Sequence, residues 1–240
     1  MSNMTGGEIL ARMLKEEGVE KVFGIIDGTY FGLYSSFAKY GIELITPRHE
    51  ATALHMAGAY ARLTGKLGVC MASSGPGVAN ALAGIAVENG EGNRVLLMTS
   101  SRRTGISSPD RGGAYQYFDQ VGVIKPMSKW SGSAGSFGRI PELMRRALRL
   151  SFRGRPGVVH IDVPEDVMNG KDKAPAFWAP HQYRRTEPIK PDPSLVKRAA
   201  ELLVTADLPV IHAGSGIIHS GAFKELEDVA GKMDLEMALF

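Results

Sequence analysis

Short β-rich runs alternate with helical runs of ten or more residues along this chain, and that alternation limits the fold more than any other feature of the sequence. Thr5 with Glu8 three residues on is a capping-box pattern, and Ile9, Leu10, Met13 and Leu14 then recur at helical spacing until Gly18. A strand is expected over residues 22–26, ending in Asp27-Gly28, then a helix over 30–40 and a short strand over 43–46. The same reading gives a helix over 50–64, a strand over 67–72, a helix over 77–89 and a strand over 94–99. Further on it gives a strand over 126–131, an amphipathic helix over 141–151 and a continuous apolar strand over 157–163. Strands separated by such helices cannot form hairpins. They imply right-handed βαβ crossovers, hence an α/β fold with a parallel sheet covered by helices on both faces. Residues 100–117, rich in Ser, Gly and Arg, read as a long surface loop.

This pattern places a first domain at 1–168 and a linker at 169–192, where Pro175, Pro180, Pro188 and Pro191 interrupt a charged stretch. Residues 193–240 offer a helix over 194–205, a strand over 209–213, the turn Gly214-Ser215-Gly216 and a helix over 221–232. One strand and two helices cannot enclose a core, so this is expected to be an incomplete second α/β domain. The net charge of +3 is small, and both signs are interleaved, so neither nucleic acid nor a membrane is called for as a partner. No run approaches the roughly 18 apolar residues of a membrane span. Cys70 is the single cysteine, which excludes a disulfide framework and a cysteine metal site and points to a buried thiol in a cytoplasmic protein. The basic cluster Arg145, Arg146, Arg149, Arg153 and Arg155 reads as the wet face and end of a helix.

The chemistry-bearing residues stand at the ends of the strands. Arg48-His49-Glu50 precedes Ala57-Gly58-Ala59-Tyr60-Ala61-Arg62 and Thr64-Gly65-Lys66, and these are followed by Ser73-Ser74-Gly75-Pro76-Gly77 with Asn80. Singly, each piece is common. In this order and spacing they resemble the acetolactate synthase, pyruvate oxidase and benzoylformate decarboxylase group of thiamine-diphosphate enzymes. Arg153-Gly154-Arg155-Pro156-Gly157, leading into an apolar strand and Pro164, resembles the family's last strand of this domain. The resemblance covers residues 6–167 and continues more loosely through 194–232, as the beginning of a central domain.

It implies the pyrimidine-binding domain fold, with Glu50 as the catalytic glutamate that hydrogen-bonds the cofactor's aminopyrimidine ring and exchanges a proton with it. Glu50 opens a helix, where the dipole also favours a solvated glutamate with no such role. By resemblance Ser73, Pro76 and Asn80 line the pyrimidine pocket, and Gln116 corresponds to a glutamine near the thiazolium. Gly28 corresponds to a glycine of the loop that approaches substrate. Two positions depart from the family pattern. Asp27 stands where a glycine of a Pro-Gly-Gly loop is usual, and Tyr117 replaces an acidic residue beside Gln116. Arg103 and Arg111 could face a carboxylate but read more simply as a solvated basic loop. His49 and His55 lack a third ligand, so no metal site is expected. The fragment Gly214-Ser215-Gly216 does not by itself imply a nucleotide or FAD.

The resemblance implies thiamine diphosphate as cofactor, a 2-keto acid as substrate, and Mg2+ held by a C-terminal domain whose Gly-Asp-Gly motif is not in this sequence. It also implies a homodimer or homotetramer, or a separate diphosphate-binding subunit. The expected activity is that of a lyase or carboligase, with this 240-residue chain inactive in isolation. The alternative is a non-catalytic assembly or regulatory subunit that keeps the fold.

Overall fold

Ten strands and eleven α-helices follow the alternation closely in a computed structural model that describes residues 3–107, 114–233 and 237–239. The strands are β1 (Asn3–Thr5), β2 (Lys21–Gly24), β3 (Glu43–Ile45), β4 (Gly68–Ala72), β5 (Val95–Ser101), β6 (Trp130–Ser133), β7 (Val158–Pro164), β8 (Lys171–Lys173), β9 (Ile211–Ala213) and β10 (Met237–Leu239). Six of them form one parallel sheet in the order β3-β2-β4-β5-β7-β6. The helices of this part are α1 (Gly6–Glu16), α2 (Phe31–Tyr34), α3 (Glu50–Thr64), α4 (Pro76–Gly90), α5 (Thr104–Ser107), α6 (Gln120–Ile124), α7 (Arg139–Ser151) and α8 (Glu165–Asn169). The expected α/β architecture is therefore present.

The side-chain period of two divides the sheet's contacts into two cores. Val69, Met71, Leu96, Met98, Val159 and Ile161 face one core with Ile9, Leu10 and Leu14 of α1 and Met144 and Leu148 of α7. Cys70, Ala72, Val95, Leu97 and Val158 face the other, with Ala53, Leu54 and Ala57 of α3 and Val78, Ala81 and Ile85 of α4. Each fully buried aliphatic side chain contributes about 1.5–3 kcal/mol. Thr5 caps α1 as its spacing predicts, its hydroxyl accepting from Glu8 N–H at 2.9 Å.

Local departures from the sequence reading have tertiary causes. The helix expected over 30–40 is broken into a 3-10 turn at Gly28–Tyr30, α2, and a second 3-10 turn at Ala38–Tyr40. Tyr30 turns fully inward and its hydroxyl donates to Ile25 O, which takes its backbone out of the helical region at φ −126°. The strand expected over 126–131 begins at Trp130, because Lys125–Met127 forms a 3-10 turn around Pro126. The loop expected over 100–117 is shortened by two extra residues on β5 and by α5.

The chain divides into two units, Met1–Thr186 and Glu187–Phe240. Much of the segment read as linker from residue 169 belongs to the first: β8 pairs antiparallel with β1, and Tyr183 is buried in the core. Arg184 forms a buried ion pair with Glu17 (Nε–Oε1 3.0 Å) and lies over the Phe152 ring at 3.7 Å. The arginines of α7 hold this segment down. Arg145 lies half-buried over Trp178 at 4.2 Å, away from the wet face expected of it, while Arg149, exposed as expected, also donates from Nε to Tyr183 O at 2.8 Å. In the second unit, α9 (Pro193–Thr205), α10 (Gly216–Ser220) and α11 (Phe223–Met233) accompany the parallel pair β9 and β10. Among its described residues only Ala213 and Ala230 are buried apolar side chains, so it encloses little core. No helix among the described residues is long and apolar enough to cross a membrane.

Helices α3 and α4 pack closely because Gly58 leaves room for a buried carboxylate. A Cβ there would lie 1.6 Å from Glu88 Oε2. That carboxylate is held by His55 Nδ1 at 2.7 Å and by Asn93 Nδ2 at 2.6 Å. Gly58→Ala should therefore destabilise the protein by about 2 kcal/mol or more in urea denaturation, by forcing Glu88 off its partners. Gly90, at the end of α4, has nothing within 4 Å of such a Cβ, and Gly90→Ala should be neutral or stabilising by up to about 1 kcal/mol.

Candidate functional site

All six strands of the large sheet point the same way, so the segments following β3, β4 and β5 emerge on one edge. Strand order reverses between β3 on one side of β2 and β4 on the other, which is where open α/β sheets form ligand crevices. His49 follows β3 in extended conformation (φ −153°, ψ 142°), and its Nδ1 accepts from Ala51 N–H at 3.2 Å, capping α3. Capping makes Glu50 the first residue of the helix. Its side chain turns inward and the residue is 6% exposed.

The Glu50 carboxylate accepts one bond on each oxygen. Ser73 Oγ donates to Oε1 at 3.3 Å and Asn80 Nδ2 donates to Oε2 at 3.2 Å. Neither of these donors is charged, and the carboxylate also lies at the positive end of the α3 dipole. A carboxylate offers about four lone-pair positions, so acceptor capacity remains for an incoming donor. Gly77 lets the start of α4 close against Ser73 and Glu50. A Cβ there would lie 2.2 Å from Ser73 Oγ and 2.8 Å from Glu50 Oε1. Pro76 opens α4, and both it and Asn80 are exposed, so the wall of the site formed by α4 faces outward. A nearly buried carboxylate with acceptor capacity left, beside the exposed start of α4, suits a ligand that brings an N–H donor.

The other candidates lie at varying remove. Gln116 has φ +59°, the only positive value among the described non-glycine residues. Its backbone crowds Gly75, whose Cβ position would be 2.5 Å from Gln116 O, and Ser74 Oγ donates to that carbonyl at 3.4 Å. Gln116 is thus locked to the turn bearing Ser73 and Pro76. Gly28 is exposed on the segment after β2 and accepts from Asn169 Nδ2 at 3.2 Å. Among the described residues, no hydrogen bond joins it to Glu50, Ser73 or Asn80. Asp27, the departure noted above, accepts from Thr29 N–H at 2.7 Å and caps the turn there. Arg103 lies 3.5 Å from Glu165 Oε1, which gives it a local partner, and Arg111 lies outside the described residues. His55 is the partner of Glu88, and Cys70 is buried in β4, where burial pushes the thiol pKa up.

A buried polar cluster beside the site escaped the sequence reading. On the α3–α4 side of the sheet, β5, β6 and β7 become polar at their carboxyl ends, and Asp162 sits at the centre, 3% exposed. Its Oδ1 accepts from Thr99 Oγ1 at 2.8 Å and Gln120 Nε2 at 3.0 Å. Its Oδ2 accepts from Ser101 Oγ at 2.8 Å and Ser133 Oγ at 3.0 Å. Burial pushes the Asp162 carboxyl above the ordinary carboxylate range, against the pull of these four donors. Because Thr99 donates to Asp162, its oxygen accepts from His160 Nε2–H at 2.8 Å, and His160 Nδ1 accepts from Ser131 Oγ at 2.7 Å. The ring is neutral, and burial pulls its pKa down to about 3. Two polar residues at alternate positions of an otherwise apolar strand, His160 and Asp162, were the available signal.

Comparison with known proteins agrees with this fold. Residues 4–123 match the family described as "Thiamine pyrophosphate enzyme, N-terminal TPP binding domain". The chain belongs to this family of thiamine-diphosphate enzymes. The acetolactate synthase isozyme 3 large subunit of Escherichia coli is 32% identical over 238 residues, covering 98% of this chain and 41% of the relative. The acetolactate synthase large subunit of Buchnera aphidicola (subsp. Schizaphis graminum) is 33% identical over 98% of this chain, and that of Haemophilus influenzae 31% over 98%. The chain spans 41% of the length of each of these three relatives.

The neutral His160 sets a pH dependence of stability. Its folded-state pKa lies below the unfolded value of 6.5, so between 6.5 and about 3 the unfolded state binds the extra proton. The stability present above pH 6.5 is accordingly lost as pH falls, with a slope of up to about 1.4 kcal/mol per unit. His160→Gln can keep one donor and one acceptor without titrating. Its urea denaturation free energy should fall less steeply than that of the wild type from pH 6.5 to pH 4.

Proposed function

We propose that this chain is the pyrimidine-binding part of a thiamine-diphosphate-dependent lyase or carboligase, similar to acetolactate synthase, that acts on a 2-keto acid and uses Glu50 to activate the cofactor. The observation that carries this reading is the Glu50 carboxylate, buried at a helix start and held, among the described residues, by the neutral donors Ser73 and Asn80. A purely structural subunit has no physical need to bury an anion without a cationic partner, since desolvating it is costly.

When bound, thiamine diphosphate supplies the carbanion-stabilising centre needed to cleave or form a bond next to a keto group. The chain's own residues position and protonate. Glu50 would accept a hydrogen bond from the pyrimidine ring and move a proton between its carboxyl and the ring nitrogen. Ser73 and Asn80 hold the carboxylate at the correct angle, and the turn from Gly75 to Gly77 shapes the floor on which the ring rests. Gln116, fixed against that turn, would lie toward the reacting end of the cofactor, and Gly28 toward the substrate.

The diphosphate and Mg2+ belong, on this reading, to a C-terminal domain. Among the described residues no group of three or more His, Cys, Asp and Glu side chains could hold a metal ion. The exposed wall formed by Pro76 and Asn80 suits closure by such a domain from a second subunit, as a homodimer or homotetramer would provide. The lone buried thiol suits a cytoplasmic setting.

The test uses the protein as expressed from its own reading frame, with thiamine diphosphate, magnesium and pyruvate. Glu50→Gln should lower turnover by about 10²–10⁴-fold, because the amide cannot exchange the proton. Turnover by the wild type with no loss on substitution would remove Glu50 from the mechanism. Absence of turnover in both, with assembly intact, would favour the non-catalytic subunit.

A further inference from the structure

We infer that Gln120 is a positioning residue for the cofactor site, coupling the Gly75-Pro76 turn to the buried Asp162 carboxylate. The inference rests on the proposed function, since the site it positions is the pyrimidine pocket around Glu50.

Gln120 opens α6 and is 3% exposed. Its Oε1 accepts from Gly75 N–H at 2.8 Å, and its Nε2 donates to Asp162 Oδ1 at 3.0 Å and to Ser100 O at 3.3 Å. The chemistry allows one amide orientation. Turned over, the NH2 would meet the Gly75 N–H and the carbonyl would meet a carboxylate and a backbone carbonyl, setting donor against donor and acceptor against acceptor. One side chain therefore joins the turn after β4 to β5 and β7, while Asp162 itself is anchored by Thr99, Ser101 and Ser133 of β5 and β6.

What Gln120 holds is the residue on which the site's geometry turns. Gly75 has φ +68° and ψ −106°, a conformation other residues rarely adopt, and it precedes the first turn of α4. Displacing it moves Pro76 directly and carries Asn80, which donates to Glu50, on the same helix. It also disturbs Gln116, whose backbone rests on Gly75. Among the described residues no hydrogen bond joins Glu50 to Gln120. Its influence passes through Gly75. Gln120 also lines a cavity of about 460 Å³ with Ser101, Tyr117, Phe118, Ser133 and Asp162, and a glutamate there is of the same size as the native side chain.

The experiment measures thiamine diphosphate binding, in the presence of magnesium, by calorimetry on the protein as expressed from its own reading frame. Thermal unfolding is measured without cofactor. Gln120→Glu keeps the acceptor for Gly75 but opposes a carboxylate to Asp162, and it should raise the Kd about tenfold or more. Adding Asp162→Asn returns a donor to face that carboxylate, with Ser100 O still opposed to it, and the double variant should bind at least about threefold more tightly than Gln120→Glu alone. Recovery of Kd in the double variant, beyond any recovery of Tm, is the signature of positioning. A Kd unchanged in Gln120→Glu, or a Tm that recovers while Kd does not, would overturn the inference and leave the role of Glu50 standing. Should the wild type itself bind no thiamine diphosphate, the functional reading falls and this inference with it.

Discussion

A parallel sheet sends every strand's carboxyl end to the same edge, and the rest of this structure depends on that constraint. Glu50 follows β3 and the Ser73–Gly77 turn follows β4, so residues scattered along the chain come together at that edge, and the longer segment after β5 carries Gln116 to the same turn. The same geometry places the helix starts there, with their unpaired N–H groups and positive ends. At that edge the Glu50 carboxylate is buried with two neutral donors and, among the described residues, no ion-pair partner.

Burial on this edge is graded. Along β5 and β7 the side of the sheet facing α3 and α4 is apolar from Val95 and Val158 through Leu97, then polar at Thr99, Ser101, His160 and Asp162. Apolar packing fixes the strands, and the polar ends fix the turns above them. Each Asp162 oxygen accepts two bonds, and each His160 nitrogen has a hydroxyl partner, so the cluster is satisfied throughout. A fully satisfied buried network rigidifies its surroundings, whereas a partly satisfied one would destabilise them. Gln120 extends that rigidity to Gly75, a residue whose backbone conformation the local sequence alone would not hold.

The fold was legible because periodicity is a local property. Alternating apolar patterns place six strands of one sheet within a few residues of their observed positions, and Thr5 and Gly18 bracket α1 as capping chemistry predicts. Elements whose shape depends on distant partners were not legible. The break at Tyr30 follows from a side chain drawn into the core, and β8 exists because β1 is there to pair with it. Residues after 169 look like linker because prolines and charges dominate them, yet Arg145, Arg149 and the Glu17–Arg184 pair bind part of that stretch to the first unit.

The sequence by itself determined an α/β chain with Glu50 at a helix start and a Gly-Pro-Gly turn at another, because helix caps, turn residues and hydrophobic period act over a few residues. Only the tertiary structure decided that Ser73 and Asn80 hold that carboxylate and that Gln120 reaches from Asp162 to Gly75. These contacts join residues 23, 30, 42 and 45 positions apart. Contacts across such spans arise from strand register and helix packing, which carry no local mark in the chain.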